Sequence, residues 1–500
     1  MSLLNFGSRG FISWFPVHGT SIYENNTLVS TDNKGMAAYL YECERRGHLA
    51  QHPRRVLRVA RAALRRNAVP GEQLHVRGTV QDCHGRGPGF RLDSYGFASN
   101  TMIAQVQADA AQRIVSHVLN SLLFLVADRL CSRANHTFTL PNGTVAQTCP
   151  PAMGFSFAGG TTDGPGAFDF VQGDNSTSQN PLWNIVKSAV TPVPSAAQTA
   201  CQYPKPILLN TGYATFPYAW SPSTVDIQML KIGNVVIALI PGELTTMAGR
   251  RLRAAIRAQL IASGIVGNDA YVIISGPANT YAHYITTPEE YTVQRYEGAS
   301  TIYGPNTLPA YIDKYTSLVP WLASTPPAAA PASDAAPPAL QSVALSLQTG
   351  VAFDGTPGGQ SFGSVQTDVA GRTRRGRRPT RCSPARTPGC VFCPAFLIRL
   401  LSKLKNCRQN NLRLEQTFLY VDHLAANGSW TPVRSDSHPS TIYRWARVNG
   451  LTGTSTVNIS WTVESGTPAG SYRFRYFGDS KALGGTITPF VGTSGTFTVV

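Results

Sequence analysis

Two unbroken apolar runs in the middle of the chain read as buried strands, because each is short and ends at turn residues. The first, Val235–Ile240, breaks at Pro241-Gly242-Glu243. It feeds a segment with apolar positions at Leu244, Met247, Leu252, Ile256 and Leu260, a spacing that predicts a helix with one buried face. The second, Tyr271–Ser275, ends in Gly276-Pro277 and opens a loop through Asn279-Thr280-Tyr281-Ala282-His283-Tyr284. That loop continues past Glu289-Glu290-Tyr291 to Arg295-Tyr296. Both strands therefore leave polar groups at their carboxyl ends, the edge at which open α/β sheets bind ligands. Read alone, Glu243 is an acid favoured by a helix dipole, and loop tyrosines are packing residues with a wet hydroxyl. Their combination points to chemistry.

Elsewhere the pattern is more varied. Phe11–His18 has strand composition and ends on a histidine that is either a metal ligand or a capped structural residue. Residues 37–44 predict a short helix, and an amphipathic helix runs from a cap at Ser99 or Asn100 to about Arg129. Residues 136–200 are rich in Gly, Asn, Asp and Ser and read as loop, flanked by Cys149 and Cys201, which could close a disulfide. A Pro/Ala stretch at 325–338 reads as an exposed linker. Beyond it, runs at 417–422, 441–448, 456–463, 471–477 and 495–500, punctuated by turns, have the spacing of an antiparallel sandwich.

Composition sharpens this picture. Five hundred residues with 42% hydrophobic content describe a globular chain of several domains. No apolar run reaches 18 residues, so no membrane-spanning helix is predicted. The net charge of +16 suggests an acidic partner until its distribution is considered. Residues 52–66 hold six arginines and residues 371–408 eleven Lys/Arg, neither segment with an acid, so the remainder is nearly neutral. Basic patches without interleaved aromatics give only nonspecific attraction, so no nucleic-acid partner is expected. Cys382, Cys390, Cys393 and Cys407 do not have the spacing of a zinc ribbon. Sequons at Asn25, Asn135, Asn142, Asn175, Asn427 and Asn458 suggest a secretory history, although no signal segment opens the chain. A secreted protein whose true N-terminus is missing is therefore the expectation.

Several long motifs now combine. Ser13–Ser21 (Ser-Trp-Phe-Pro-Val-His-Gly-Thr-Ser), Ser30–Gly35, Ile240–Arg251, His283–Tyr291, Ala299–Pro305 and Tyr472–Gly478 together resemble the neutral ceramidase family. The resemblance spans most of the chain. It implies a mixed-sheet α/β catalytic domain over 1–324, a linker over 325–340, and an immunoglobulin-like β-sandwich domain over 341–500. It implies zinc-dependent hydrolysis of the N-acyl amide bond of ceramide to sphingosine and a fatty acid, at a membrane surface and with an apolar pocket for the lipid chains. By motif match His18, Glu243 and Tyr284 resemble the family's zinc ligands, and Tyr296, twelve residues beyond Tyr284, resembles the tyrosine that assists at the scissile amide. These residue types suit amide hydrolysis, since zinc polarises a carbonyl and acidifies water, and a phenol can stabilise an oxyanion.

The departures are equally specific. In the family another histidine ligand and an active-site arginine lie upstream of the strand that ends at His18, and this chain starts too late to contain them. The nucleophilic serine belongs where residues 52–77 are Arg-rich, and no serine there matches. The family pattern resumes near Gly85–Gly89, after Cys83. Disruptions at about 45–77 and 371–408 resemble frame-shifted or intron-derived sequence. They predict an impaired enzyme or, alternatively, a catalytically inactive lipid-binding paralogue.

Overall fold

The computed structural model describes residues 2–5, 11–23, 29–45, 95–114, 124–132, 134–161, 166–175, 178–329, 352–369, 399–405, 416–464 and 466–500, with isolated residues and pairs between these stretches. The Arg-rich interval 52–77, the resumption at 85–87, Asn25, and the cysteines at 83, 382, 390, 393 and 407 lie outside them. The described residues fall into two compact units, one up to residue 340 and one from residue 352.

The first unit is built on a mixed four-stranded sheet in the order Tyr271–Ser275, Val235–Leu239, Thr224–Ile232, Phe124–Ser132. The first pair is parallel, and the other two are antiparallel. The strand Thr224–Ile232 alternates buried and half-buried positions, whereas Val235–Ala238 is buried on both faces, which is why its sequence is continuously apolar. The helix Thr246–Ala262 packs Ala248, Leu252, Ile256 and Leu260 into the core with Val236, Ala238, Ile240, Tyr311 and Tyr315. Repetition at four-residue intervals gives one continuous buried stripe. Met247, expected on that stripe, is 43% exposed, because position 248 faces the core in its place.

Two element assignments are corrected. The helix expected from Ser99 or Asn100 to Arg129 begins at Phe97 and ends at Ile114, and Phe124–Ser132 is instead an edge strand in register with Thr224–Ile232. Nine aligned pairs with a neighbouring strand outweigh local helical periodicity there. The helix start is set by the Asp93 carboxylate, which accepts from the backbone of Phe97 at 3.1 Å and Ala98 at 2.7 Å. The segment 136–200 contains a hairpin, Thr137–Thr139 with Val145–Gln147, and helices Pro181–Val190 and Ala196–Cys201. The first of these helices starts as Asn180 accepts from the Leu182 backbone and Pro181 occupies its first turn, a start signal hidden among turn residues. The short helix predicted at 37–44 extends over Asp32–Arg45.

The second unit is strand-rich. One sheet runs Val365–Thr367, Arg399–Lys405, Thr454–Thr462, Thr441–Asn449, and the other Arg372–Thr373, Phe497–Val499, Gly470–Lys481, Leu419–Leu424, Trp430–Ser435, with Ile487–Thr493 also paired to Gly470–Lys481. Val457, Ile459 and Trp461 from the first sheet share a core with Leu419, Val421, Tyr472, Phe474, Tyr476, Phe497 and Val499 from the second. The buried Asp422 is held by Arg475 at 2.9 Å and Arg473 at 3.3 Å, so its charge is paired.

Candidate active site

After Leu239 the chain cannot continue straight, because Pro241-Gly242 turns it beneath the loop that follows Ser275. Backbone bonds lock the two segments together: Ala278 N–H to Ile240 O at 2.7 Å, Ala282 N–H to Pro241 O at 2.8 Å, and Glu243 N–H to His283 O at 2.9 Å. A Cβ at Gly242 would stand 2.6 Å from the His283 carbonyl, so only glycine permits this approach. The product is a two-residue parallel pair in which Glu243 aligns with Tyr284 and Leu244 with Ile285. Aligned residues project to the same face, so this register sets the Glu243 carboxylate beside the Tyr284 phenol. Glu243 precedes the helix cap, since Thr245 Oγ1 accepts from the Ala248 backbone, and so it lies outside the first helical turn.

The strand expected over Phe11–His18 covers only Phe11–Trp14, and His18 reaches the same carboxylate from the irregular segment beyond it, with Nδ1 3.8 Å from Glu243 Oε2. Its backbone is anchored from below. The fully buried Asn33 donates to the His18 carbonyl at 2.8 Å and to Ser21 Oγ at 3.0 Å, while Gln107 donates to Asn33 Oδ1 at 2.9 Å. Asp32 Oδ1 and Oδ2 accept from the backbones of Ser21 and Ile22. Two further residues that sequence reasoning missed complete the surroundings. Tyr281 Oη donates to Glu243 Oε1 at 2.6 Å. Lys205, buried, donates to the carbonyls of Ala152 at 3.0 Å and Thr301 at 2.6 Å, and Thr301 ends the short helix Tyr296–Ser300.

Tyr296, at the start of that helix, packs edge-on against Tyr284 with ring centroids 5.7 Å apart, and it stacks on Phe157 at 6.1 Å. The structure thus brings together His18, Glu243, Tyr284 and Tyr296, from three separate parts of the chain. Burial, reinforced by the Glu243 carboxylate, pushes the phenols of Tyr281, Tyr284 and Tyr296 above their ordinary range, which keeps Tyr281 and Tyr296 protonated and able to donate. Burial also lowers the His283 imidazole and holds the Lys205 ammonium well below the usual lysine value. Two cavities, of about 330 and 280 Å³, both border Lys205; neither is lined by His18, Glu243, Tyr284 or Tyr296. The apolar pocket expected for lipid chains is therefore not one of these two.

An imidazole nitrogen and a phenol, each beside the Glu243 carboxylate, form a nitrogen and oxygen donor set of the kind zinc accepts. Among the described residues no group of three or more His, Cys, Asp or Glu is placed to hold a metal ion, so a metal here would depend on the Tyr284 phenol as a third donor. Fold and site together define a mixed α/β protein that presents a carboxylate, imidazole and phenol centre at the carboxyl edge of its sheet.

Comparison with known proteins is consistent across the chain. The family model described as neutral/alkaline non-lysosomal ceramidase, N-terminal, matches residues 1–313, and the corresponding C-terminal model matches residues 405–499. Neutral ceramidase 1 of Arabidopsis thaliana is 35% identical over an alignment covering 100% of this chain and 72% of the relative. Neutral ceramidase of Drosophila melanogaster is 35% identical, with 98% and 69% covered. A solved structure of neutral ceramidase from Pseudomonas aeruginosa superposes with a TM-score of 0.71 at 28% identity, covering 99% of this chain and 70% of that one. A structure titled "Ceramidase complexed with C2" gives 0.74 at 29% identity, with 99% and 70% covered. The chain belongs to the neutral/alkaline non-lysosomal ceramidase family and is an enzyme of that family.

Proposed function

We propose that this chain hydrolyses the N-acyl amide bond of ceramide to sphingosine and a free fatty acid, with zinc held by His18, Glu243 and Tyr284. The observation that carries this reading is the convergence of two side chains, the His18 imidazole from the segment after Trp14 and the Tyr284 phenol from the loop after Ser275, on the Glu243 carboxylate. Zinc at this position would supply Lewis-acid polarisation of the amide carbonyl and a lowered water pKa. Tyr296, kept protonated by its surroundings, donates a hydrogen bond from Oη to the carbonyl oxygen as negative charge gathers there. The half-buried Phe157 packs against both Tyr296 and His283 on one side of this group. In the overall balance the amide C–N bond breaks, water supplies the acyl oxygen, and a proton passes to the leaving amine.

Substrate access requires peripheral contact with a membrane surface, since ceramide resides in lipid. The Cys149–Cys201 disulfide, Cα atoms 5.8 Å apart, supports a secreted or extracellular location together with the sequons. The shared core of the two C-terminal sheets supports an immunoglobulin-like sandwich for the region after the linker. The interval expected to carry the nucleophilic serine lies outside the described residues.

The test uses the full 500-residue chain with ceramide in mixed micelles. Fatty-acid release that stops with a chelator, returns with zinc, and is lost in Glu243→Gln is the expected result. Release indifferent to chelator, or an equally active Glu243→Gln variant, overturns the reading. Ceramide binding without any release favours the inactive lipid-binding paralogue.

A further inference from the structure

The two oxygens of Glu243 have different surroundings. Oε2 faces the His18 imidazole at 3.8 Å, while Oε1 takes the Tyr281 hydroxyl at 2.6 Å, a short bond between a phenol and a carboxylate. The Tyr281 backbone is fixed on both sides. Thr280 Oγ1 donates to Asp226 Oδ2 at 2.7 Å, the Ala282 amide bonds the Pro241 carbonyl, and the flanking residues Asn279 and His283 sit at φ values of +59°. The Tyr281 ring, 45% exposed, also lies 5.3 Å from that of His283, so its hydroxyl reaches Glu243 from a loop whose backbone is braced.

We propose that Tyr281 is a positioning residue that occupies Glu243 Oε1 and thereby leaves Oε2 alone, on the His18 side, to bind the metal. The proposal rests on the zinc reading of the site. A carboxylate free at both oxygens can rotate or chelate through both, whereas one oxygen held by a neutral donor fixes its plane. Outer partners of this kind typically change metal affinity about 10- to 100-fold when removed. Tyr281 touches neither substrate nor metal in this arrangement. A packing role for its ring alone would survive loss of the hydroxyl.

The discriminating variant is Tyr281→Phe in the full chain, compared with wild type by zinc titration against a chromophoric chelator. A zinc Kd weakened about 10-fold or more is expected, together with a lower kcat at an unchanged KM for ceramide. Unchanged zinc affinity overturns the proposal. Should the wild-type chain bind no zinc, the zinc reading itself fails, and the positioning role is decided on the metal-free protein by thermal unfolding. Tyr281→Phe then lowers the unfolding midpoint on the wild-type background but not on a Glu243→Ala background. Equal shifts on both backgrounds overturn the role of Tyr281.

Discussion

Replacing Gly242 with alanine tests the crossing that creates the site. The new Cβ would lie 2.6 Å from the His283 carbonyl oxygen and 3.4 and 3.6 Å from the Ile285 side chain. Ordinary carbon contacts begin at about 3.5 Å, so the His283 carbonyl must retreat by about 0.9 Å. That carbonyl accepts the Glu243 amide at 2.9 Å, and the retreat stretches the bond beyond the range of a protein hydrogen bond. Overpacking of this kind costs about 1 to 3 kcal/mol, and the lost bond adds about 1 kcal/mol. The functional effect is larger than the stability effect, because displacing a reacting group by about 1 Å can cost about 100-fold in rate. The assay pairs zinc titration and ceramide hydrolysis with thermal unfolding of Gly242→Ala. Gly484→Ala, where no atom lies within 4 Å of the added carbon, serves as the control. A Gly242→Ala protein with wild-type zinc affinity and rate would refute the claim that this close approach holds Glu243 beside Tyr284.

Other outcomes follow from the surrounding structure. Asn33→Ala removes the bonds to the His18 carbonyl, Ser21 and Gln107, and should cost about 2 to 3 kcal/mol in a denaturant melt while weakening zinc binding through a mobile His18. Cys201→Ser opens a loop whose ends are 52 residues apart, and the chain-entropy relation gives a loss of about 4 kcal/mol, measurable as a lowered denaturant midpoint under non-reducing conditions. In the strand-rich unit, burial and then the Arg434 charge depress the His438 imidazole to about 4. Its Nδ1 accepts from the Ser440 amide at 3.2 Å, a bond the protonated ring cannot accept. The unfolded chain therefore binds more protons between the ordinary histidine pKa of about 6.5 and the folded value. The stability contributed by neutral His438 is complete above that window and is lost as pH falls through it. His438→Gln should flatten this part of the pH-stability curve, and an unchanged acid limb would count against it.

Much of the site was legible because its residues mark chain reversals. Pro241-Gly242-Glu243 and Gly276-Pro277 each follow a continuous apolar run, so the ends of both strands could be placed from the pattern alone. The motifs carrying the family resemblance supplied His18 and Tyr284, and Tyr296 by its place twelve residues beyond Tyr284, none of which periodicity distinguishes from structural residues. Asn33 lay inside one of those motifs, yet its role is a three-dimensional one, bracing a carbonyl fifteen residues earlier. Tyr281 was visible in the loop, but nothing along the sequence tells which of its tyrosines faces Glu243. Lys205 carried no signal between two prolines, since only the folded chain reveals that its ammonium ties Ala152 to Thr301. The strand Phe124–Ser132 was misread because its apolar positions fit a helix as well as an edge strand, and its partner lies about a hundred residues away.

The most direct measurement is the zinc affinity of the full chain beside three single variants, His18→Ala, Glu243→Gln and Tyr284→Phe, each with an unfolding curve to establish that it is folded. Convergence of the three side chains on one ion predicts a single site whose affinity falls in every variant while the fold persists. Zinc bound equally well by all three folded variants would contradict it.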